Sequence, residues 1–123
     1  MRKKVLVFGT FDDIHPGHEF FLRSAKSRGT DLIVGVARDI HVVALKGHKP
    51  RSSENKRLEN IQKLPYVDQT FLCDEILNTF EIIQISEPDT IILGHDQVEL
   101  EKSLITWMSE KDLYIPIVRI KKI

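Results

Sequence analysis

Short apolar runs alternate with longer amphipathic stretches along the whole chain. The apolar runs are rich in β-branched residues and short, which is typical of strands buried on both faces of a sheet. Strands are predicted over 5–8, 32–37, 69–72, 90–94 and 113–118. Helices are predicted over 19–28, 53–64, 75–85 and 98–111. Ser53 is the expected N-cap of the second helix and Gly29 the expected C-cap of the first.

Strands that alternate with helices form β-α-β units with right-handed crossovers. The pattern therefore predicts one Rossmann-like α/β domain over 1–123, a doubly wound, five-stranded parallel sheet with helices on both faces. In such sheets, ligands bind outside the carboxyl ends of the strands, where the strand order reverses. The two most unusual loops of the sequence follow Phe8 and Leu93, at carboxyl ends. A ligand site is expected where these loops meet.

The composition narrows the possible partners. The 123 residues suit one domain, and 18 basic residues balance 18 acidic ones, which argues against a general nucleic-acid binder. No stretch approaches the roughly 20 apolar residues of a membrane span, and the apolar run after 2–4 is too short for a signal peptide. We therefore expect a cytoplasmic protein with no nucleic-acid or membrane partner. Cys73, the single cysteine, is interpreted as a small apolar residue near a strand end rather than a reactive thiol.

Residues 9–18, here called the first loop, read GTFDDIHPGH and lead from a predicted strand into a helix. Pro16 suits a first helical turn, and Gly17 lets a ligand approach the backbone near the positive end of the helix dipole. His15 and His18 are three residues apart, so both rings lie on one side of the helix start. One histidine there is more often a cap or a solvated residue. Two histidines that bracket Pro-Gly favour phosphate chemistry.

This string resembles the signature of the cytidylyltransferase-like nucleotidyltransferases. Residues 20–36 resemble the helix and second strand of that family, and 55–68 resemble its arginine-bearing helix. Residues 92–97, ILGHDQ, resemble a loop that typically reads LGYDQ in archaeal FAD synthases. That FMN adenylyltransferase branch is the one the sequence resembles most, and glycerol-3-phosphate cytidylyltransferase is the next.

The resemblance implies that an acceptor phosphate attacks the α-phosphate of an NTP and releases pyrophosphate. It implies in particular the transfer of AMP from ATP to FMN, giving FAD. A divalent metal such as Mg²⁺ is expected to bind with the NTP, without fixed protein ligands. A CTP-dependent transferase acting on glycerol 3-phosphate or a similar ester is the alternative within this class. A non-catalytic nucleotide-binding regulatory module is the alternative from another class, and a homodimer is possible because family members are often dimers.

The resemblance also implies roles for individual residues. His15, His18 and Lys46 are the expected catalytic residues, with Lys49 as the alternative lysine. Asp12 is expected to orient a metal, a water or a histidine. The expected nucleotide-binding residues are Gly9, Thr10, Phe11, Asp12, Gly17, Arg57, Gly94, Asp96 and Arg119.

The segment 46–53, KGHKPRSS, is here called the basic segment. By itself it is typical of a solvated loop, but beside a triphosphate site it favours a cationic flap that closes on the ligand. Arg57 matches the family arginine when counted back from 66–68, whereas counting forward from 52–54 selects Lys56. Arg57 is preferred because a planar guanidinium suits phosphate better than an ammonium.

Within 94–97, Asp96 is expected to accept hydrogen bonds from ribose hydroxyls or an adenine amine. The alternative is an Asx-type turn that caps the following helix. His95 stands where the archaeal branch has a tyrosine, so the resemblance implies no base-packing role for it. His41 has no motif context and is interpreted as a polar residue at the surface or at a helix start.

Two expectations concern the triphosphate tail and the acceptor. Family members usually carry a Ser/Thr-rich stretch near the C-terminus that binds the β- and γ-phosphates, and the sequence ends at 118–123, where that stretch would begin. Either the stretch follows Ile123 or the protein lacks it. In the second case, Arg119 is the phosphate contact expected to remain. FMN needs an apolar pocket for its ring. Phe11 and Trp107 are candidates to line it, although both are typical of a core.

Overall fold

The computed structural model describes residues 2–120. Its strands and helices follow in the order β1 (Lys4–Gly9), α1 (Pro16–Lys26), β2 (Asp31–Val36), α2 (Asp39–Lys46), α3 (Glu54–Gln62), β3 (Gln69–Leu72), α4 (Glu81–Ser86), β4 (Thr90–Gly94), α5 (Val98–Glu110) and β5 (Ile117–Ile120). The strands form one sheet in the order β3-β2-β1-β4-β5, and all the pairs are parallel. The predicted doubly wound α/β fold is therefore confirmed.

Alternating strand residues divide the core into two layers. Val5, Val7, Leu32 and Val34 face α1 and α3, where Leu22 and Ile61 pack against them. The opposite face carries Leu6, Phe8, Ile33 and Ile91, and it is covered by residues of α4 and α5. Because apolar side chains are buried on both faces, the strands read as continuous hydrophobic runs rather than as alternating ones.

The sheet order reverses direction at β1. The chain moves outward through β2 and β3, returns to β4 on the other side of β1, and ends at β5. The loops after β1 and β4 therefore meet at the carboxyl edge, where doubly wound sheets bind ligands. Within residues 2–120, the longest helices are too short or too polar to cross a bilayer.

One helix, α2, is absent from the sequence prediction. Its N-cap, Arg38, makes no side-chain capping bond, so the sequence carries no start signal. Its residues include adjacent valines, which have a low helix propensity. The helix ends at Gly47, which adopts the left-handed conformation with φ of 78°. The basic segment therefore begins on the last residue of a helix.

The helix predicted over 75–85 was wrong in its first half, because α4 begins only at Glu81. The carboxylate of Asp74 accepts hydrogen bonds from the backbone N–H of Glu81 and Ile82 and from the hydroxyl of Thr79. These bonds hold residues 74–80 as a loop. Asp74 thus caps the helix from seven residues away, which sequence spacing does not reveal.

Two boundaries also differ from the prediction. Gly29 is not the C-cap of α1, since Ser27 caps it in a right-handed conformation. Gly29 instead lies so close to β1 that a Cβ there would be 2.7 Å from the carbonyl oxygen of Lys3. The last strand begins at Ile117 rather than at 113, because the N–H of Leu113 donates to Met108 at the end of α5 and Pro116 has no N–H to donate.

Candidate active site

The first loop leaves β1 through a strained turn. Phe11 has a φ of 52°, in the left-handed region that non-glycine residues seldom adopt, and its side chain is only 4% exposed. The ring folds back over Gly9, where a Cβ would lie 2.6 Å from ring carbons. Gly9 is therefore required so that Phe11 can enter the core. The buried ring also edges the cleft.

His15 caps α1 with its own ring. Its Nδ1 accepts hydrogen bonds from the backbone N–H of Gly17, at 3.1 Å, and of His18, at 3.4 Å. A Cβ at Gly17 would lie 2.9 Å from the imidazole, so glycine is needed there. Because Nδ1 is an acceptor, the proton of the neutral ring lies on Nε2. The sequence suggested that these N–H groups are free for phosphate, but they are capped. The donor that His15 can offer to a ligand is its Nε2–H.

His18 stacks on this cap. The two imidazole centroids are 3.8 Å apart with an interplanar angle of 21°, and Phe11 meets the His18 ring edge-on at 5.5 Å. Burial lowers the pKa of His18 below its ordinary 6.5, and the nearby charges of His15 and Lys46 lower it further against the opposing effect of Asp13. Nδ1 of His18 is buried and has no hydrogen-bond partner of good geometry among the described residues, although the backbone of Asp13 is close enough to oppose the pKa shift. The imidazole therefore loses its proton more readily than that of a free histidine.

Asp12 joins the first loop to the basic segment. Its carboxylate accepts the backbone N–H groups of Arg51, at 2.7 Å, and Ser52, at 2.9 Å. Loss of hydration raises the pKa of Asp12, but these two bonds together with the charges of Arg57 and Arg51 outweigh it, and the net pKa is lowered. The carboxylate was expected to orient a metal, a water or a histidine. The structure gives it the different task of fixing the basic segment against the first loop.

The structure separates the two candidate lysines. Lys46 ends α2 and lines the cleft, near enough to His18 to depress its pKa. Lys49 lies on the outer side of α2, in a shallow depression with Asp39, Ile40 and Pro50. Of the two lysines, only Lys46 lines the cleft that holds the histidines.

Arg57 is placed differently from its predicted role. Its side chain is fully buried on α3, and the guanidinium donates to the carbonyl oxygens of Ser52 and Thr10 and to Asp39, at 3.1, 2.8 and 2.6 Å. It does not line the cleft. In this conformation Arg57 contacts no nucleotide site; it supports the first loop from beneath through Thr10. The alternative residue, Lys56, is exposed.

The loop after β4 lies on the other side of β1. Gly94 and Asp96, which were predicted to bind the nucleotide, line the cleft, and so does His95. The Asx-type cap is not formed, since the N-cap of α5 is Gln97 and makes no side-chain capping bond. Gln97 instead accepts from the N–H of Gly94 at 2.8 Å and donates to the carbonyl of Phe8 at 2.9 Å. This amide joins the ends of β1 and β4, a role that sequence reasoning missed.

Arg119 also lies apart from the histidines. It forms an ion pair with Glu101 of α5 and is not among the residues that line the cleft, although its neighbour Ile120 is. Trp107, a candidate for the acceptor pocket, is buried in the core behind the sheet.

The cleft that these elements surround has a volume of about 1270 Å³. Ligand pockets are typically about 300–1,000 Å³, so there is room for more than one ligand. Ten of the predicted site residues line the cleft: Gly9, Thr10, Phe11, Asp12, His15, Gly17, His18, Lys46, Gly94 and Asp96. Arg57 does not line it but holds the first loop through the carbonyl of Thr10. Among residues 2–120, no three His, Cys, Asp or Glu side chains converge as a metal site would require.

Cys73 lies in the same cleft wall, directly after β3. Burial raises its pKa to about 12, so it is a protonated thiol at neutral pH. The interpretation of Cys73 as a small, unreactive residue at a strand end agrees with this placement.

The stacked histidines and Lys46 thus edge a cleft at the switch point of the sheet, where doubly wound α/β domains bind their ligands. The family model described as cytidylyltransferase-like matches residues 6–120. The chain therefore belongs to the cytidylyltransferase-like family, and it is a nucleotidyltransferase.

Relatives and solved structures agree with this assignment. The FAD synthase of Archaeoglobus fulgidus is 43% identical over 115 residues, which are 92% of this chain and 80% of that protein. The FAD synthase of Aciduliprofundum boonei is 39% identical over 121 residues, 97% of this chain and 78% of that one. The crystal structure of the lipopolysaccharide core biosynthesis protein from Thermoplasma volcanium is 34% identical, with a TM-score of 0.88 over 100% of this chain and 99% of that chain.

A more distant structure shares the fold alone. The pantoate-beta-alanine ligase of Francisella tularensis, complexed with beta-gamma ATP and beta-alanine, has a TM-score of 0.64 at 14% identity. It covers 98% of this chain and 59% of the ligase.

Proposed function

We propose that this nucleotidyltransferase transfers AMP from ATP to FMN and so makes FAD. The observation that carries the proposal is the cleft of stacked histidines and Lys46 in a chain about 40% identical to archaeal FAD synthases over more than nine-tenths of its length. A phosphate oxygen of FMN attacks the α-phosphorus of ATP. A new P–O bond forms, the bond to the β-phosphate breaks, and pyrophosphate leaves with the electron pair.

The protein's part in this reaction is positioning and charge stabilisation, because phosphoryl transfer needs little covalent help. Nε2–H of His15 donates to a phosphate oxygen, since Nδ1 is occupied by the helix cap. His18, stacked on His15, donates a ring N–H to the α-phosphate oxygens, where negative charge builds up in the transition state. Lys46 supplies the fixed positive charge on the same side. Gly94 and Asp96 receive the nucleoside.

A divalent cation such as Mg²⁺ would bind with ATP, through the triphosphate oxygens. The side chains of the first loop fit this arrangement better than they fit a resident metal, because Asp12 already accepts two backbone N–H groups and Asp13 pairs with Arg51. The cation would neutralise charge on the β- and γ-phosphates as pyrophosphate departs.

Incubation of the full chain with FMN, ATP and Mg²⁺ tests the proposal, with FAD separated by chromatography and pyrophosphate measured in parallel. His18→Ala serves as the inactive control protein. FAD and pyrophosphate in equal amounts are expected. Product from CTP and glycerol 3-phosphate instead would assign the chain to the cytidylyltransferase alternative.

Thermal melting with each nucleotide provides a second measurement, since the preferred ligand stabilises the folded state more. ATP is expected to raise the Tm further than CTP does. A large shift with ATP and no product in a single turnover would identify a regulatory nucleotide-binding module and overturn the proposal.

A further inference from the structure

One end of the cleft is apolar although it faces solvent. Leu45 at the end of α2 is 83% exposed, and Ile76 and Leu77 in the loop between β3 and α4 are 70% and 65% exposed. All three line the same cleft as the catalytic histidines. Exposed apolar side chains scattered singly need no explanation, but three that converge on a ligand cleft mark a binding surface. We call these three residues the apolar wall.

The wall is held in place by a network that sequence reasoning missed. Nε2 of His41 on α2 donates to the carbonyl oxygen of Glu75, at 2.9 Å, with that of Asp74 at 3.3 Å. This bond joins α2 to the loop after β3, so it fixes Leu45 relative to Ile76 and Leu77.

The same loop is anchored at its far end. Asn78 and Phe80 both have positive φ, at 67° and 45°, and the Phe80 ring packs edge-on against Phe8 and Trp107 in the core. Two strained residues, a core anchor and the carboxylate of Asp74 therefore hold the loop in one shape. That shape directs Ile76 and Leu77 toward the cleft instead of burying them.

The sheet order gives the cleft two chemically different ends. The loop after β4, with Gly94 and Asp96, lies on one side of the first loop, whereas α2 and the loop after β3 lie on the other. The first end carries the carboxylate of Asp96 beside the exposed side chain of Val98, a combination that suits a ribose and its base. The second combines the apolar wall with Lys46, which follows Leu45 directly in α2. A ligand with a flat apolar ring and a phosphate matches this second end.

We propose that the isoalloxazine ring of FMN binds against the apolar wall of Leu45, Ile76 and Leu77, and that His41 is a positioning residue for this subsite. The proposal rests on FMN being the acceptor. The ring lies on the β2–β3 side, its phosphate reaches Lys46 and the histidines, and ATP occupies the β4 side. His41 lines the cleft as well, and its part here is to hold the two halves of the wall together through its bond to the loop after β3.

Binding of FMN, followed by quenching of its fluorescence, tests the wall. The double variant Leu45→Ser/Ile76→Ser removes one apolar group from each half and should raise the Kd for FMN about tenfold or more. The Tm shift caused by ATP should not change. Ile85→Ser is the matched control, because Ile85 is 67% exposed on α4 but does not line the cleft. It should leave the Kd for FMN unchanged.

The outcomes separate this inference from the proposed function. If the unaltered chain makes FAD and the double variant binds FMN within twofold of it, the wall is not the ring subsite and the FMN adenylyltransferase proposal stands. If the unaltered chain binds no FMN and makes no FAD, the proposed function fails and the subsite falls with it. Equal weakening by the double variant and by Ile85→Ser would also overturn the subsite.

The His41 series tests positioning. His41→Ala should raise the KM for FMN several-fold with kcat and ATP binding nearly unchanged, and His41→Gln should recover part of the loss because its amide N–H can reach the same carbonyls. Gln84→Ala is the control, since Gln84 is exposed on α4 and does not line the cleft. Similar KM values for the two alanine variants would overturn the role of His41.

Discussion

The first loop and the cations that follow β2 differ in what fixes their roles. In the first loop, His15, Gly17 and His18 are held by bonds among themselves, within four residues of sequence. Lys46 and Arg57 look alike as candidate phosphate ligands in the sequence, yet one lines the cleft and the other is buried beneath it. Local hydrogen bonds determine the positions of the first-loop residues. Carboxylates and carbonyls far away in sequence determine whether each cation faces the cleft or the core. Four experiments test this difference between the two regions.

The largest effect is expected at the histidine stack. His18→Ala should lower kcat about 10²–10³-fold, the usual loss when one donor to a transition-state oxyanion is removed. ATP affinity should fall far less, because the substrate carries less charge at the α-phosphate than the transition state does. Steady-state kinetics and an ATP titration measure the two. Equal losses in kcat and affinity would mean that His18 is a ground-state ligand only.

Arg57→Ala should act on the fold more than on binding. The change leaves Asp39 and the carbonyl of Thr10 without their partner, and we expect a loss of about 3 kcal/mol in the free energy of unfolding. This is the low end for a broken buried pair, since the Asp39 side chain is 39% exposed. Denaturant unfolding measures it. Lys56→Ala, an exposed neighbour on α3, is the control and should change stability by less than about 0.5 kcal/mol.

An Arg57→Ala protein with unchanged stability and much weaker ATP binding would contradict the structure. Arg57 would then be a nucleotide ligand that leaves its buried contacts on binding, as the family resemblance implied.

Lys46→Ala should show the opposite pattern. A charge-assisted hydrogen bond to phosphate contributes about 1.5–3 kcal/mol, so kcat/KM should fall roughly 10–100-fold while the Tm stays within a degree or so. Lys49→Ala removes the same charge three residues away, on the outer side of α2, and should cost less than about twofold. Loss of activity in Lys49→Ala alone would show that the basic segment moves on binding.

The smallest effect concerns pH. The folded chain lowers the pKa of His18 below 6.5, so between pH 6.5 and the lowered value the unfolded chain binds the proton that the folded chain refuses. Stability from this source is complete above pH 6.5 and is lost as the pH falls through that window. The Tm should therefore fall more between pH 7 and 5.5 in the unaltered chain than in His18→Gln. An equal fall of the Tm in both proteins would mean that the folded and unfolded chains protonate His18 equally readily.

The same contrast explains which predictions from sequence succeeded. The three central strands, β1, β2 and β4, and the doubly wound class followed from continuous apolar runs, because a residue buried on both faces of the sheet must be apolar whatever packs on it. The errors concern elements whose ends are fixed from far away. Asp74 reaches forward to Glu81 and shortens α4, and α2 forms without a capping signal.

The candidate site divides in the same way. Gly9, His15, Gly17 and His18 belong to one contiguous string whose backbone bonds impose their geometry. Asp12 was placed in the site, but its partners, Arg51 and Ser52, lie some forty residues away, so its task could not be foreseen. Gln97 and His41 were missed because their partners meet only in the folded sheet: Gln97 joins two strand ends, and His41 joins a helix to a loop.

The sequence by itself determined the fold class, the family and the paired histidines, since hydrophobic periodicity and a short motif act over a few residues. Only the tertiary structure decided which cation faces the ligand and which carboxylate is already satisfied. It also decided where exposed apolar side chains gather into a wall. The physical reason is that burial and hydrogen-bond partners are properties of the packed chain: the same guanidinium binds phosphate at a surface or a carbonyl in the core, according to what the sheet brings within reach.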